Sequence, residues 1–388
     1  MIQAAATHTY QQVGTTKPTI CHVIHALGIG GAEKLVDVMV RRLSDHYRCV
    51  VAVLDEVGQV GDQLRADGFV IEHLHRQPGI DRGCARRLDA FARREGAGIL
   101  HAHQYTPFFQ AMLSRGLLGS RPVLLTEHGR HFPDLPSRKR SVVNRLLLRK
   151  QDRLVGCGGA VRQALIDNEG LPAERIEVIY NGVDLHALSQ PTIGTRDRIR
   201  QEFGFTETDF IAIQVARLHK LKDHLTAVKA IDEARRIAPN IRLLIVGEGD
   251  QRSVIENAIR ERNLQANVVL TGNRSDVADL LAASEAFLMS SISEGIPLTI
   301  IEAMAARIPV VSTAVGGIPE MIQHERNGFL AASGDHSSLG QSLVRLCQLP
   351  SLRSTIGLAG RATAEREFSL DGMLNGYCRT YEEMLNDC

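Results

Sequence analysis

Ala286-Phe287-Leu288-Met289-Ser290-Ser291-Ile292-Ser293-Glu294-Gly295-Ile296-Pro297-Leu298-Thr299-Ile300-Ile301-Glu302-Ala303-Met304-Ala305 passes from a short apolar run through a loop into a helical pattern. Ala286–Met289 reads as a buried strand. The helix is predicted to start near Pro297, because proline suits a first helical turn. The same strand-to-helix alternation repeats on both sides. Upstream lie Phe210–Val215, Ile241–Val246 and Asn267–Leu270, and Pro309–Ser312 follows. An earlier series runs through Ile20–His25, Cys49–Leu54, Ile99–His103, Pro122–Thr126, Arg153–Gly156 and Ile176–Ile179. Alternating β and α elements imply parallel sheets with helices on both faces. The expected architecture is α/β: two doubly wound, Rossmann-like domains facing across a cleft. Open α/β sheets bind ligands beyond the carboxyl ends of their strands, so function is expected in that cleft.

The length of 388 residues suits two or three domains. Residues 1–18 are expected to be a frayed tail without the basic start and apolar stretch of a signal peptide. The first domain is assigned to 19–185 and the second to 186–365. Residues 366–388 are read as a helix crossing back to the first domain. Composition is 44% hydrophobic and 23% charged, which excludes a disordered or fibrous chain. Lys+Arg 45 against Asp+Glu 44 leaves +1, so no global field steers the chain towards nucleic acid. Aromatics are 4% with no Trp, which argues against stacking platforms for bases. Seven scattered cysteines without a CxxC pair, and the lack of a long apolar run, point to a reducing, cytoplasmic setting.

Three motifs fall at predicted strand ends. Gly28-Ile29-Gly30-Gly31-Ala32-Glu33 follows the first strand, where glycines let backbone N–H groups approach a phosphate or sugar. Glu33 stands where a dinucleotide fingerprint needs its third glycine, so this is not a typical NAD turn. A tight strand-to-helix turn would favour the same glycines. Arg217, Lys220 and Lys222 follow the first strand of the second unit, and cations there suit a diphosphate. A solvated loop is the alternative. In the segment Ala286–Ala305, the free N–H groups of the first turn after Pro297 can hold phosphate oxygens. Glu294 precedes that helix and Glu302 lies more than a turn inside it, so the two acids can contact different parts of one ligand.

Fifteen histidines raise a metal reading. His101 and His103 share a strand face, and His128 and His131 follow the next strand. No HExxH motif or cysteine partner accompanies them, so no metal is expected. A histidine at a strand end is better read as a substrate contact, and His128 is the best placed.

Together these residues resemble the retaining glycosyltransferases of family 4, which have the GT-B fold. The resemblance covers nearly the whole chain after the tail. The family's E-x7-E element is similar to Glu294 through Glu302, followed by Ala303-Met304-Ala305. Its basic pair resembles Arg217 and Lys222, and its glycine loop Gly30-Gly31-Ala32-Glu33. Further matches are Val246–Gly249, Ile179–Asp184, and Val315-Gly316-Gly317 with Glu320. One departure is Gly295-Ile296-Pro297, where the family often has Phe-Gly.

The resemblance implies transfer of a sugar from a nucleotide-sugar donor, with a UDP-sugar expected first, to a glycan or lipid-linked acceptor in polysaccharide assembly. Arg217 and Lys222 would neutralise the departing diphosphate without a metal or other cofactor, assisted by backbone at Pro297, Leu298 and Thr299. Glu302 would bind the ribose, Glu294 and His128 the sugar, and Gly30 and Gly31 the phosphates. The base is expected near Gly247–Gly249 and Thr271–Asp276. Ser137 through Arg153 reads as a basic amphipathic helix, so peripheral docking of 138–153 on the anionic inner face of the cell membrane is a further expectation. A helix packed on the sheet with a solvated basic face is the alternative. Two other function classes fit the same residues: a GT-B-fold nucleotide-sugar epimerase, and a non-catalytic two-lobed nucleotide- or sugar-binding protein.

Overall fold

The structure, a computed structural model, describes residues 17–28, 30–116, 119–129, 134–186, 188 and 194–387. His131 and residues 1–16 of the expected tail lie outside them. Lys17 and Pro18 correct the tail reading, because they are tied down. Lys17 Nζ donates to the Ser44 carbonyl at 2.7 Å, and the Pro18 carbonyl accepts from Arg48 N–H at 2.9 Å.

The first sheet contains β1 (Thr19–Ala26), β2 (Arg48–Glu56), β3 (Val70–His73), β4 (Ala97–His103), β5 (Val123–Glu127), β6 (Arg153–Gly156) and β7 (Ile176–Val178). Their spatial order is β3-β2-β1-β4-β5-β6-β7. The second contains β8 (Phe210–Val215), β9 (Ile241–Val246), β10 (Val268–Gly272), β11 (Ala286–Met289), β12 (Val310–Thr313) and β13 (Phe329–Ala331), in the order β10-β9-β8-β11-β12-β13. Every pairing between these strands is parallel. In each sheet the strand order reverses beside the first strand, at β1/β4 and β8/β11, and ligand crevices form at such switch points.

Alternation along β1 explains how both faces become covered. Ile20 and Ile24 enter one apolar cluster, while Cys21 and Val23 enter another. The helix Gly31–Leu43 buries Leu35, Val36, Met39, Val40 and Leu43, a stripe at helical spacing. The largest cluster is continuous between lobes, since Val155, Val161 and Ile179 share it with Ile296, Leu298 and Ile318.

Two segments cross between the lobes side by side. Val183 N–H donates to the Phe368 carbonyl at 3.1 Å, and Leu370 N–H donates to the Val183 carbonyl at 3.0 Å. Ser369 then caps the last helix, Leu370–Asn386, which returns to the first sheet. Tyr377 and Tyr381 of that helix are fully buried, with hydroxyls bonded to Thr126 and His101.

The basic stretch needs correction. Its helix spans only Arg138–Leu147, and Leu148 is extended. Asp152 accounts for the break. Fully buried and paired bidentately with Arg115 at 2.6 and 2.7 Å, it also accepts from Arg149 N–H at 2.7 Å, which turns the chain into β6. Arg153 lies on β6 and pairs with Asp387. Among the described residues, no helix is long and apolar enough to cross a membrane.

Candidate active site

A cleft of about 600 Å³ opens between the carboxyl ends of the two sheets. From the first lobe it receives Gly30 and Gly31 after β1 and His128 after β5. From the second it receives Arg217 and Lys222 after β8, and Glu294, Pro297, Leu298, Thr299 and Glu302 from the segment after β11. Gly247 and Arg274 line the same space, at the edge where the base was expected. Gly249 does not line it. A Cβ there would stand 2.3 Å from the Leu218 carbonyl oxygen, so Gly249 packs under the Arg217–Leu218 backbone instead.

The helix Leu298–Ala305 aims its N-terminus at the cleft, and its first N–H groups give that end partial positive charge. Glu302 is four residues after Leu298, on the same helical face. Its carboxylate is 8% exposed and accepts from Lys34 Nζ at 2.5 Å. Glu294, also 8% exposed, accepts from Lys222 Nζ and Ser291 Oγ, both at 2.6 Å and both at Oε1. Arg217 is exposed, and no ion pair of it is found among the described residues. The cleft thus holds two carboxylates already engaged by lysines and one guanidinium open to an anion.

Backbone contact between the lobes fixes the loop that carries Glu294. A Cβ on Gly295 would meet the His128 carbonyl oxygen at 2.6 Å. Gly316 has φ +55°, and a Cβ there would stand 1.8 Å from the Glu294 carbonyl oxygen. Only glycine permits both the conformation and the approach. Asn181 Nδ2 donates to the Ile296 carbonyl at 2.9 Å. Glu320 reaches the opposite lobe, where its carboxylate accepts from Gly159 N–H at 2.7 Å, Ala160 N–H at 2.8 Å and Tyr180 Oη at 3.0 Å. It therefore caps the helix Gly159–Glu169 across the seam.

His128 is neutral at ordinary pH. Burial pushes its pKa down to about 4, with the Asn181 side chain opposing in part. Its Nε2 faces His103 Nδ1 at 2.9 Å, and His103 Nε2 faces His22 Nδ1 at 3.1 Å. Among the described residues, His22, His101 and His103 form a group whose spacing could hold a metal ion. Both nitrogens of His101 are already engaged, by Tyr381 Oη at 2.6 Å and Thr126 Oγ1 at 2.8 Å.

Sequence reasoning missed Lys34, Asn181 and Ser291. Lys34 carried a readable signal, since a cation in the first turn of a helix opposes the helix dipole and so needs another reason to be there.

Residues 29–187 match Glycosyltransferase Family 4, and residues 195–363 match Glycosyl transferases group 1. The putative glycosyltransferase EpsD of Bacillus subtilis (strain 168) is 30% identical over 68% of this chain and 68% of its own length. The chain belongs to the family 4, group 1 glycosyltransferases. An Escherichia coli relative of this glycosyltransferase, UDP-Gal:alpha-D-GlcNAc-diphosphoundecaprenol alpha-1,3-galactosyltransferase, is 28% identical over 74% of this chain and 75% of its own. Anabaena HepE, solved in complex with UDP, superposes with a TM-score of 0.83 at 20% identity, covering 94% of this chain and 100% of that one. The glycosyltransferase therefore has the GT-B fold.

Proposed function

We propose that this glycosyltransferase moves a sugar from a nucleoside diphosphate sugar, a UDP-sugar first, to a glycan or lipid-linked acceptor, with retention at the anomeric carbon and without a metal ion. The observation that carries this reading is the convergence of Arg217, Lys222, Glu294, Glu302 and His128 on one cleft from both lobes. Arg217 and Lys222 supply positive charge where a departing diphosphate becomes more negative, as electrostatic catalysis requires. The helix N-terminus at Leu298 and Thr299 adds N–H donors. Glu302 exchanges Lys34 for ribose hydroxyls. Glu294 orients Lys222 through its carboxylate and meets the sugar. His128, neutral, contacts a sugar hydroxyl by hydrogen bonding rather than by charge. The uridine reading takes support from the UDP bound by HepE, and the lipid-linked acceptor from the name of the Escherichia coli relative.

Peripheral membrane docking belongs to the same reading. On the helix Arg138–Leu147, Val142 is 58% exposed and Leu146, one turn on, is 77% exposed, beside the exposed Arg138, Lys139 and Arg145. That mixture of apolar and basic groups suits an anionic bilayer surface. Flotation that does not distinguish anionic from neutral vesicles at low salt would remove the membrane reading.

The experiment for the reaction is incubation with UDP-, GDP-, ADP- and dTDP-sugars in chelator, with and without lipid-linked and glycan acceptors. The expected product is a glycoside with the donor's anomeric configuration, read by NMR, together with released nucleoside diphosphate. An isomerised nucleotide sugar formed without acceptor would replace the transferase reading with an epimerase.

A further inference from the structure

Among the described residues, Lys34 alone carries an ion pair across the cleft, from the first turn of the helix Gly31–Leu43 to Glu302 Oε1 at 2.5 Å. Its side chain is 59% exposed, whereas that of Glu302 is 8% exposed. A carboxylate lies much closer in sequence, since Asp37 follows one turn later, but it pairs with Arg41 at 2.8 Å. Lys34 also stands where the helix dipole disfavours a cation. Neither its own helix nor a local charge accounts for it. Glu302 in turn has no other side-chain partner among the described residues.

We propose that Lys34 makes the cleft selective for nucleoside diphosphates over nucleosides, because it holds Glu302 against a ribose until a diphosphate is present to receive its charge. The inference rests on the donor site proposed above. A vicinal diol that donates to both oxygens of Glu302 displaces Lys34 from Oε1, and the displaced ammonium then needs another anion. A place for one lies at the N-terminus of the helix Leu298–Ala305. Leu298 is four residues before Glu302, about 6 Å along the helix axis. Arg217 and Lys222 line the same space, so an anion there would sit among cations from both lobes. The point charge of lysine, on a flexible four-carbon stem, suits movement over that distance.

The two ligand classes therefore meet different receptors. A nucleoside brings the diol without the anion, so it breaks the pair and leaves Lys34 to water. A nucleoside diphosphate brings both, and Lys34 exchanges one carboxylate for the diphosphate. Lys34 thus opposes the ribose and favours the diphosphate, two effects of opposite sign that one substitution removes together.

The test is NMR titration of uridine and of UDP, in chelator, into the full chain and into Lys34→Met. Loss of a partly exposed ion pair should tighten uridine about 3-fold. Loss of a charge-assisted phosphate contact should weaken UDP about 10-fold, so the preference for UDP over uridine should fall about 30-fold. Lys34→Arg keeps the charge and should hold that preference within about 3-fold of wild type. Uridine affinity unchanged or weakened in Lys34→Met would overturn the proposal, because Lys34 would then be no obstacle to the ribose. UDP affinity unchanged, or raised in step with that of uridine, would overturn it too, because Lys34 would then not meet the diphosphate. A Lys34→Arg variant with the preference of Lys34→Met would assign the effect to packing and also overturn it. The donor site itself fails separately, by binding none of UDP, GDP, ADP and dTDP in the wild type. If another of the four binds in place of UDP, that diphosphate and its nucleoside are the probes.

Discussion

Replacing Lys222 with alanine should remove both its ion pair with Glu294 and its proposed contact to the diphosphate. In the structure its ammonium lies 2.6 Å from Glu294 Oε1, an oxygen that also accepts from Ser291 at 2.6 Å. A charge-assisted contact to the departing diphosphate is worth about 1.5–3 kcal/mol, so kcat/KM should fall about 10- to 100-fold. The second effect is on the fold. Glu294 is 8% exposed and, among the described residues, would keep only Ser291 as a side-chain partner. Breaking a buried pair costs about 3–5 kcal/mol and an exposed one 1 or less. Lys222 is 22% exposed, so an intermediate loss of about 1–3 kcal/mol is expected. The double variant Lys222→Ala/Glu294→Gln separates the two effects. Removing both charges should recover most of the stability in urea denaturation, but not the turnover measured by nucleotide release. Wild-type kcat/KM in a well-folded Lys222→Ala protein would refute the assigned role. So would recovery of activity in the double variant.

Other variants probe the rest of the site. Glu302→Ala should raise the UDP dissociation constant by about 10- to 100-fold in calorimetry, with a smaller change in kcat. Gly316→Ala combines positive φ with a clash against the Glu294 carbonyl, so it should cost at least about 1–3 kcal/mol and abolish most activity, read by denaturation and turnover. Glu320→Ala uncaps the helix Gly159–Glu169 and should cost about 1–2 kcal/mol, with faster hydrogen exchange at the Gly159 and Ala160 amides. Stability should also depend on pH. His128 and His224 are lowered from 6.5 to about 4, and burial is the larger cause for both. Between those values the unfolded chain binds more protons than the folded one, so stability should fall as pH drops from 6.5 towards 4. Urea denaturation at pH 7 and pH 5.5 checks the direction, and equal stabilities would contradict it.

Much of the fold was legible because strands buried on both faces of a parallel sheet are mostly apolar. Phe210–Val215, Ile241–Val246, Ala286–Met289 and Arg153–Gly156 read directly from their runs of apolar residues. β3 did not, since Val70-Ile71-Glu72-His73 is an edge strand with one neighbour and carries polar residues. β13 is three residues long, too short for any period. The basic stretch misled because helical spacing continues past Leu147, while a buried Asp152 turns the chain there.

In the cleft, residues at strand ends were legible because doubly wound topology gathers those ends. Their partners were not. Lys34 reaches Glu302 from 268 positions away, Glu320 reaches Gly159 from 161, and Asn181 reaches Ile296 from 115. Local pattern carries no information about such pairs. Gly249 was ambiguous for a related reason, since a glycine needed for close backbone packing looks the same in sequence as one needed by a ligand.

The cleft is proposed to hold a nucleoside diphosphate through its own cations and carboxylates. Titration calorimetry of the wild-type chain with UDP, GDP, ADP and dTDP in chelator tests it most directly. Saturable binding of one of them, UDP first, is expected, and it should weaken at least about 10-fold in Glu302→Ala. Binding of none of the four, or binding unchanged in that variant, would contradict it.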